Sequence, residues 1–172
     1  MNFLARLLFY PTLLWNLLLN RVLQHWHWWD WIDEQVLLGA LPSAGDAVKL
    51  RALGIGAVLN LCEEYAGPEA AYASLGLEQL RVRTVDFTAP TLEDIARGLA
   101  FMQRHIAAGK KVYVHCKAGR GRSATVVACY LIGKGMTPAE AQGLLNAKRP
   151  QVLPGICERA VVLEFYRKNG GR

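Results

Sequence analysis

Short apolar runs alternate with segments of helical periodicity over most of the chain. Four of the runs have the length of strands: 35–41, 57–61, 79–85 and 111–115. Behind Thr91, apolar residues recur instead at helical spacing, at Leu92, Ile95, Leu99, Met102 and Ile106. Because strands that alternate with helices form parallel sheets covered on their faces, we predict an α/β fold. Its centre is a mostly parallel sheet of about four to five strands flanked by helices.

Capping signals mark the starts of three helices. In each, a Ser or Thr precedes an acidic residue by three positions, the pattern of a capping box: Ser43 with Asp46, Thr91 with Asp94, and Thr137 with Glu140. Gly109 is expected to end the second of these helices, and Pro138 suits the first turn of the third. Further helices are predicted at 68–75, at 123–132 and from Pro154 to about Lys168.

The composition suits one compact domain with an appendage. The chain has 172 residues, of which 52% are hydrophobic and 20% charged, so it can bury a core and is not disordered. The formal net charge of +6 favours an anionic partner: a phosphate ester, an acidic lipid headgroup or a nucleic acid. The four cysteines include no CxxC pair and no zinc-like cluster, so we predict a reducing compartment, no disulfide framework and no metal site.

The first thirty residues differ from the rest. Residues 1–29 contain no Asp or Glu, and all five tryptophans lie between Trp15 and Trp31. The apolar stretch is interrupted by polar residues and is marginal against the about 20 residues that a spanning helix needs. Tryptophans beside a leucine-rich helix are typical of an anchor in the membrane interface. We predict an apolar helix in a membrane-associating segment, 1–30, followed by the main domain, 31–172. Packing of this helix on the domain, a true span and a cleaved presequence are the alternatives.

The strongest chemical signal is the run VYVHCKAGRGRSAT, residues 112–125. A strand ends at His115, a glycine-bearing loop follows, and a helix starts near Arg122. Such a turn directs backbone N–H groups and the positive end of the helix dipole at one point, and an arginine can hold two phosphate oxygens. The candidate phosphate-binding residues are therefore Lys117, Ala118, Gly119, Arg120, Gly121 and Arg122.

Cys116 stands at the base of this loop. A free thiol has a pKa of about 8.5, and the N–H groups and cations that bind phosphate also stabilise a thiolate. A thiolate that faces a bound phosphorus is a nucleophile. Ser123 can donate a hydrogen bond to the departing sulfur, and His115 is expected to order the loop rather than to transfer protons. The alternative is a glycine-rich turn with an inert cysteine.

The run HCKAGRGRSAT resembles the signature of the cysteine-dependent phosphatases, the protein tyrosine and dual-specificity phosphatase superfamily. Over most of residues 10–150 the chain is similar to one branch, the mitochondrial-type phosphatidylglycerophosphate phosphatases and their plant and bacterial relatives. Further stretches carry this resemblance: YPTLLWN (10–16), WID (31–33), VLLGALP (36–42), NLCEEY (60–65) and EQLRVRTVDFTAPT (78–91).

The resemblance implies a general acid on a loop some thirty residues before the cysteine. Asp86 has this position, after a predicted strand and before a capped helix, although a loop Asp can also cap its own turn. In the implied cycle, Cys116 attacks phosphorus while Asp86 protonates the alcohol, and water then hydrolyses a phosphocysteine. Arg122 and the loop amides stabilise the spread negative charge, and neither a metal nor another cofactor is needed.

Charge around the loop bears on the substrate. Between residues 95 and 139 there are eight basic and no acidic residues, and Lys117 and Arg120 belong to the loop itself. Two cations beyond the need of one phosphate suit a second negative charge, such as the phosphodiester of a phospholipid. Glu63 and Glu64 resemble an acidic motif of the lipid-phosphatase branch, and we expect one of them to meet a substrate hydroxyl or water; a solvated turn is the alternative. In the late loop, 148–154, Arg149 is assigned a structural role.

The leading hypothesis is a membrane-associated phosphatase that converts phosphatidylglycerophosphate to phosphatidylglycerol. Its partners are then a phosphorylated lipid and a membrane surface. A dual-specificity protein phosphatase acting on phosphoproteins, a phosphoinositide phosphatase and a phosphate-binding module without turnover are the alternatives. No nucleic-acid partner is expected, because the tryptophans do not interleave with basic residues. The predicted place is the cytoplasmic face of a bacterial inner membrane, with the matrix side of the mitochondrial inner membrane as the alternative. The sequence carries no signal for the oligomeric state.

Overall fold

The computed structural model describes residues 27–171 and, before them, Pro11 and Leu14. Five strands form one sheet: β1 (Trp29–Trp31), β2 (Val36–Gly39), β3 (Ile55–Cys62), β4 (Glu78–Thr84) and β5 (Lys111–His115). Their order across the sheet is β1-β2-β5-β3-β4, and β1 is antiparallel to β2, whereas the other neighbouring pairs are parallel. The predicted α/β fold with a mostly parallel sheet is confirmed.

Helices cover both faces of this sheet. They are α1 (Ala44–Ala52), α2 (Glu69–Leu75), α3 (Leu92–Ala107), α4 (Arg122–Gly133), α5 (Pro138–Lys148) and α6 (Ala160–Lys168), and a 3-10 turn at Ile156–Glu158 precedes α6. Alternate strand residues point to opposite faces, so Val112 and Val114 of β5 pack under α3 to α6, whereas Tyr113 packs with α1 and α2. The two layers produce two separate apolar clusters.

The predicted caps are present with one difference. Ser43 and Thr137 each form a reciprocal capping box with the acidic residue three positions on. At α3, the Thr91 hydroxyl accepts the Asp94 N–H, but the Asp94 carboxylate accepts its hydrogen bond from the same hydroxyl at 2.8 Å. The expected box is therefore a simple N-cap. Gly109 follows α3 with φ 73°, which suits its predicted role at the helix end.

Strand β1 was not predicted from the sequence, because its two tryptophans continue the tryptophan-rich composition of the segment before it. It begins two residues before the predicted domain boundary at 30/31. The predicted apolar N-terminal helix lies almost wholly outside the described residues. Among the helices of the described part, none is long and apolar enough to cross a membrane.

The functional loops meet because parallel strands end at the same edge of a sheet. Strand β5 leads into residues 116–121, β3 into residues 63–66, and β4 into residues 85–91. In the sheet, β5 and β4 are the two neighbours of β3, so all three loops lie side by side at the carboxyl ends. Residues far apart in sequence are brought together there.

Candidate active site

The phosphate loop, residues 116–121, turns its carbonyl groups outward. Each carbonyl from 117 to 121 accepts a hydrogen bond: Lys117 from Leu41 N at 3.2 Å, Ala118 from Arg149 Nη2 at 3.1 Å, Gly119 from Arg149 Nε at 2.9 Å, Arg120 from Leu153 N at 3.1 Å, and Gly121 from Thr125 N at 2.9 Å. Gly119 has φ 67°, and a Cβ there would lie 2.4 Å from the Gly39 carbonyl oxygen. A peptide plane that turns its carbonyl outward directs its N–H inward, which makes the loop an anion nest.

Cys116 is buried at the base of this nest and is 3% exposed. The Ser123 hydroxyl donates a hydrogen bond to its sulfur over 3.2 Å. Burial raises the pKa of Cys116, but the charge of Arg122 and hydrogen bonds from Ser123 and the Gly119 backbone outweigh burial and lower the pKa below that of a free thiol, to about 7. A large fraction of the thiol is therefore ionised at neutral pH.

Arg122 is buried beside the thiol with its guanidinium fixed by two loops. Its Nη1 donates to the Thr84 carbonyl at 2.7 Å and to Glu64 Oε2 at 2.8 Å. Its Nη2 lies 2.9 Å from Asp86 Oδ1 in an ion pair whose geometry is not that of a hydrogen bond. One edge of the guanidinium is thus held by the protein, and the other can bind an anion.

Asp86 follows β4 and lies against two cations. Its carboxylate forms ion pairs with Lys117 and with Arg122, and its Oδ1 accepts the Phe87 N–H at 3.1 Å. Phe87 itself has φ 65°, uncommon for a residue with a side chain, and 69% of it is exposed. Its ring centroid lies 5.1 Å from Lys117 Nζ. The loop after β4 therefore lies over the phosphate loop.

Glu63 and Glu64, the predicted substrate-binding pair, differ in how the fold holds them. Both carboxylate oxygens of the buried Glu64 bind protein donors, Arg122 Nη1 and the Asp86 N–H, each at 2.8 Å. Each oxygen of this carboxylate therefore has a protein donor, and Glu64 links Arg122 to the loop after β4. Glu63 is held through its carbonyl, which accepts a hydrogen bond from Arg81. A pairing between residues 58 positions apart had no signal in the sequence.

His115 is buried between the sheet and the loop. Its Nδ1 lies 3.3 Å from the Cys116 carbonyl oxygen, and its ring stacks on Tyr113 with 5.5 Å between centroids. Burial lowers the pKa of His115 to about 3, so the ring is neutral at physiological pH. This geometry suits an ordering role. In the described part, no group of three or more His, Cys, Asp or Glu side chains could hold a metal ion.

The basic stretch from 95 to 139 divides between the site and other surfaces. Arg97, Arg104 and Lys134 pair with acidic residues outside the phosphate loop: Asp94, Glu78 and Asp33. Within the loop, Lys117 is buried, and Arg120 is half-buried and donates from Nε to the Gln151 carbonyl at 2.8 Å. Lys117, Arg120 and Arg122 are therefore the basic residues of this stretch that lie in the phosphate loop or directly after it.

Two further arginines contact the phosphate loop and its helix. Arg149 supplies two of the five outward hydrogen bonds described above. Arg159 is half-buried, donates to the Thr125 hydroxyl at 2.8 Å and lies beside Gly121. The sequence indicated a structural role for Arg149 only through its late loop, and it carried no signal for Arg159.

Comparisons with known proteins agree with this geometry. A family model described as the dual specificity phosphatase catalytic domain matches residues 36–168. The phosphatidylglycerophosphate phosphatase PTPMT2 of Arabidopsis thaliana is 45% identical over 167 residues, which are 95% of this chain and 73% of the relative. The phosphatidylglycerophosphatase and protein-tyrosine phosphatase 1 of Rattus norvegicus is 38% identical over 179 residues, with 98% and 93% covered.

The fold is also that of a solved relative. The crystal structure of PTPMT1 in complex with PI(5)P has a TM-score of 0.76 and 37% identity, over 83% of this chain and 97% of that one. The chain therefore belongs to the dual specificity phosphatase family of cysteine-dependent phosphatases, where it is similar to the phosphatidylglycerophosphate phosphatases.

Proposed function

We propose that this enzyme hydrolyses phosphatidylglycerophosphate to phosphatidylglycerol and inorganic phosphate. The observation that carries the proposal is a buried thiol with a pKa of about 7, beside Arg122 and inside a loop of inward-facing N–H groups. The names of the plant and rat relatives support the choice of substrate.

In the first step, the Cys116 thiolate attacks phosphorus. An S–P bond forms as the bond between phosphorus and the glycerol oxygen breaks, and the Asp86 carboxyl gives its proton to the departing oxygen. The dianionic phosphate takes Arg122 and Lys117 as partners, in place of the Asp86 carboxylate that pairs with them.

In the second step, water hydrolyses the phosphocysteine. The water oxygen attacks phosphorus, Asp86 accepts the proton, and the S–P electron pair returns to the sulfur. The 3.2 Å hydrogen bond from Ser123 supports this departure, because the sulfur leaves as an anion. The cycle uses Cys116, Arg122, Ser123 and Asp86 as its catalytic residues, with no cofactor.

A membrane surface is the proposed place of the reaction. Two exposed apolar residues flank the phosphate loop: Phe87 is 69% exposed, and Leu153, whose N–H binds the Arg120 carbonyl, is 38% exposed. Together with the half-buried Arg120 they suit an anionic bilayer, where apolar side chains enter the interface and cations meet headgroups. The segment 1–30 is proposed as the anchor. Extraction with alkaline carbonate tests it: a surface segment is released, and a spanning helix stays with the membrane.

The membrane itself has two candidates. The cytoplasmic face of a bacterial inner membrane is the first, and the matrix side of the mitochondrial inner membrane is the second. Fractionation of the host's membranes distinguishes them.

Two other substrates have specific support. One solved relative is a complex with PI(5)P, and the rat relative's name includes protein-tyrosine phosphatase. Phosphate release should therefore be measured from vesicles with phosphatidylglycerophosphate, from vesicles with PI(5)P and from a tyrosine phosphopeptide. We expect kcat/KM to favour phosphatidylglycerophosphate by at least about tenfold, and Cys116→Ser to abolish all three activities. A comparable preference for the peptide would reject the lipid proposal.

A further inference from the structure

One buried guanidinium connects the phosphate loop with the start of the sheet. Arg149 is 1% exposed and lies at the end of α5. On one side, its Nε donates to the Gly119 carbonyl at 2.9 Å and its Nη2 to the Ala118 carbonyl at 3.1 Å. On the other side, its Nη1 donates to Asp30 Oδ2 at 2.5 Å and reaches the His27 carbonyl at 3.3 Å. All three nitrogens of this side chain are therefore engaged by the protein.

This placement has an electrostatic cost that Asp30 offsets. Burial lowers the pKa of Arg149, because a charge is disfavoured away from water, and the nearby Asp30 carboxylate opposes that effect. Asp30 belongs to β1, and 12% of its side chain is exposed. A buried charge pair contributes little net stability compared with an apolar pair of similar size. Net stability therefore does not explain why a charge is buried at position 149, whereas the two hydrogen bonds from Arg149 to the phosphate loop do.

The link from Arg149 to the thiol is a single peptide group. The Ala118 carbonyl and the Gly119 N–H belong to one rigid plane and point in opposite directions. Arg149 binds the carbonyl end, and the N–H end is one of the donors that lower the pKa of Cys116. The bond from Arg149 to the Gly119 carbonyl orients the next plane in the same way. Loss of these two bonds would free both planes to rotate.

We propose that Arg149 is a positioning residue, which orients the Ala118–Gly119 and Gly119–Arg120 peptide groups toward the sulfur of Cys116 and is itself anchored by Asp30. The proposal rests on Cys116 being the nucleophile of the proposed function, but not on the identity of the substrate. Alkylation of the Cys116 thiol by iodoacetamide measures the effect of Arg149 whether or not phosphatidylglycerophosphate is the substrate.

The test compares the wild type with Arg149→Lys over a range of pH. Lysine keeps the positive charge but cannot reach two adjacent carbonyls and Asp30 together. We expect the midpoint of alkylation of Cys116 to rise by about one pH unit, which lowers the rate at pH 7 about fivefold. Arg104→Lys is the control, because Arg104 pairs with Glu78 outside the phosphate loop, and its alkylation profile should match the wild type.

A second variant keeps the proposal falsifiable if Arg149→Lys does not fold. Asp30→Asn preserves the shape and an oxygen acceptor but removes the anchoring charge, so the midpoint should rise by about half a pH unit. A merely structural Arg149 would lower the melting temperature and leave the alkylation profile unchanged. That result, in whichever of the two variants folds, would overturn the proposal.

Discussion

Arg122 and Glu64 form a buried ion pair in which Nη1 lies 2.8 Å from Oε2, with the two side chains 3% and 5% exposed. The other oxygen of Glu64 accepts the backbone N–H of Asp86 at 2.8 Å. One carboxylate therefore connects the phosphate loop, the loop after β3 and the loop after β4. It also fixes the edge of the guanidinium that faces away from Asp86.

Glu64→Gln should destabilise the protein and weaken binding of phosphate. The side-chain amide of glutamine has no negative charge, and its NH₂ group would face either Arg122 Nη1 or the Asp86 N–H, both of which are donors. The buried positive charge of Arg122 then loses part of its compensation. We expect the free energy of unfolding in urea to fall by about 3 kcal/mol, and KM for p-nitrophenyl phosphate to rise. Glu63→Gln is the matched control, since Glu63 is held through its backbone, and it should change stability by less than about 0.5 kcal/mol. Equal losses in both variants would contradict the assignment.

The reactivity of Cys116 should follow pH with a midpoint near 7. The thiolate is the reactive form, so alkylation by iodoacetamide rises as pH increases through the pKa of about 7 and falls about tenfold per unit below it. Burial raises the pKa of Cys129 to about 12 and of Cys157 to about 11, and it raises that of Cys62 further, so these thiols stay silent at neutral pH. Arg122→Lys keeps the charge but loses the fixed fork, and its midpoint should move upward. A wild-type midpoint near that of free glutathione would refute the ionised thiol.

Ser123→Ala should slow the second step more than the first. Without the hydroxyl, the departing sulfur loses a hydrogen bond to a charged group, and kcat should fall at least about tenfold. Phosphocysteine then accumulates, and rapid-quench measurements with p-nitrophenyl phosphate should show a burst of p-nitrophenol. Ser74→Ala, which removes a hydroxyl bound within α2, is the control. An unchanged kcat without a burst would count against the proposed role.

Asp86→Asn should affect substrates according to their leaving groups. An alkyl oxygen needs a proton as it departs, so we expect kcat for a glycerol phosphate ester to fall about a hundredfold. Nitrophenolate leaves without that help, and the loss on p-nitrophenyl phosphate should be smaller. Asp94→Asn is the control, because Asp94 accepts a hydrogen bond from the Thr91 hydroxyl at the start of α3 and pairs with Arg97, away from the phosphate loop. Equal losses on both substrates would point to a binding role for Asp86 instead.

Structural features that depend on residues close together in the chain were predicted well. The ends of α1 and α5 depend on hydrogen bonds between residues three positions apart, and both capping boxes are present. The strand at 111–115 has the predicted bounds, because an apolar run behind Gly109 and two lysines, with four of its five residues buried, leaves little choice. Strand β1 was missed, since three residues carry too little periodicity and pair only through β2.

The sequence by itself determined the chemistry within one short run: a cysteine at a strand end, glycines for the turn, and an arginine and a serine where a helix begins. Those groups meet through covalent connection and local backbone geometry, which a contiguous motif specifies. Only the tertiary structure decided which distant groups complete the site. Glu64 faces Arg122, Lys117 faces Asp86, and Arg149 lies between Asp30 and the phosphate loop. These pairs join residues 31 to 119 positions apart, and they meet because parallel strands place their ends together and buried charges must find partners.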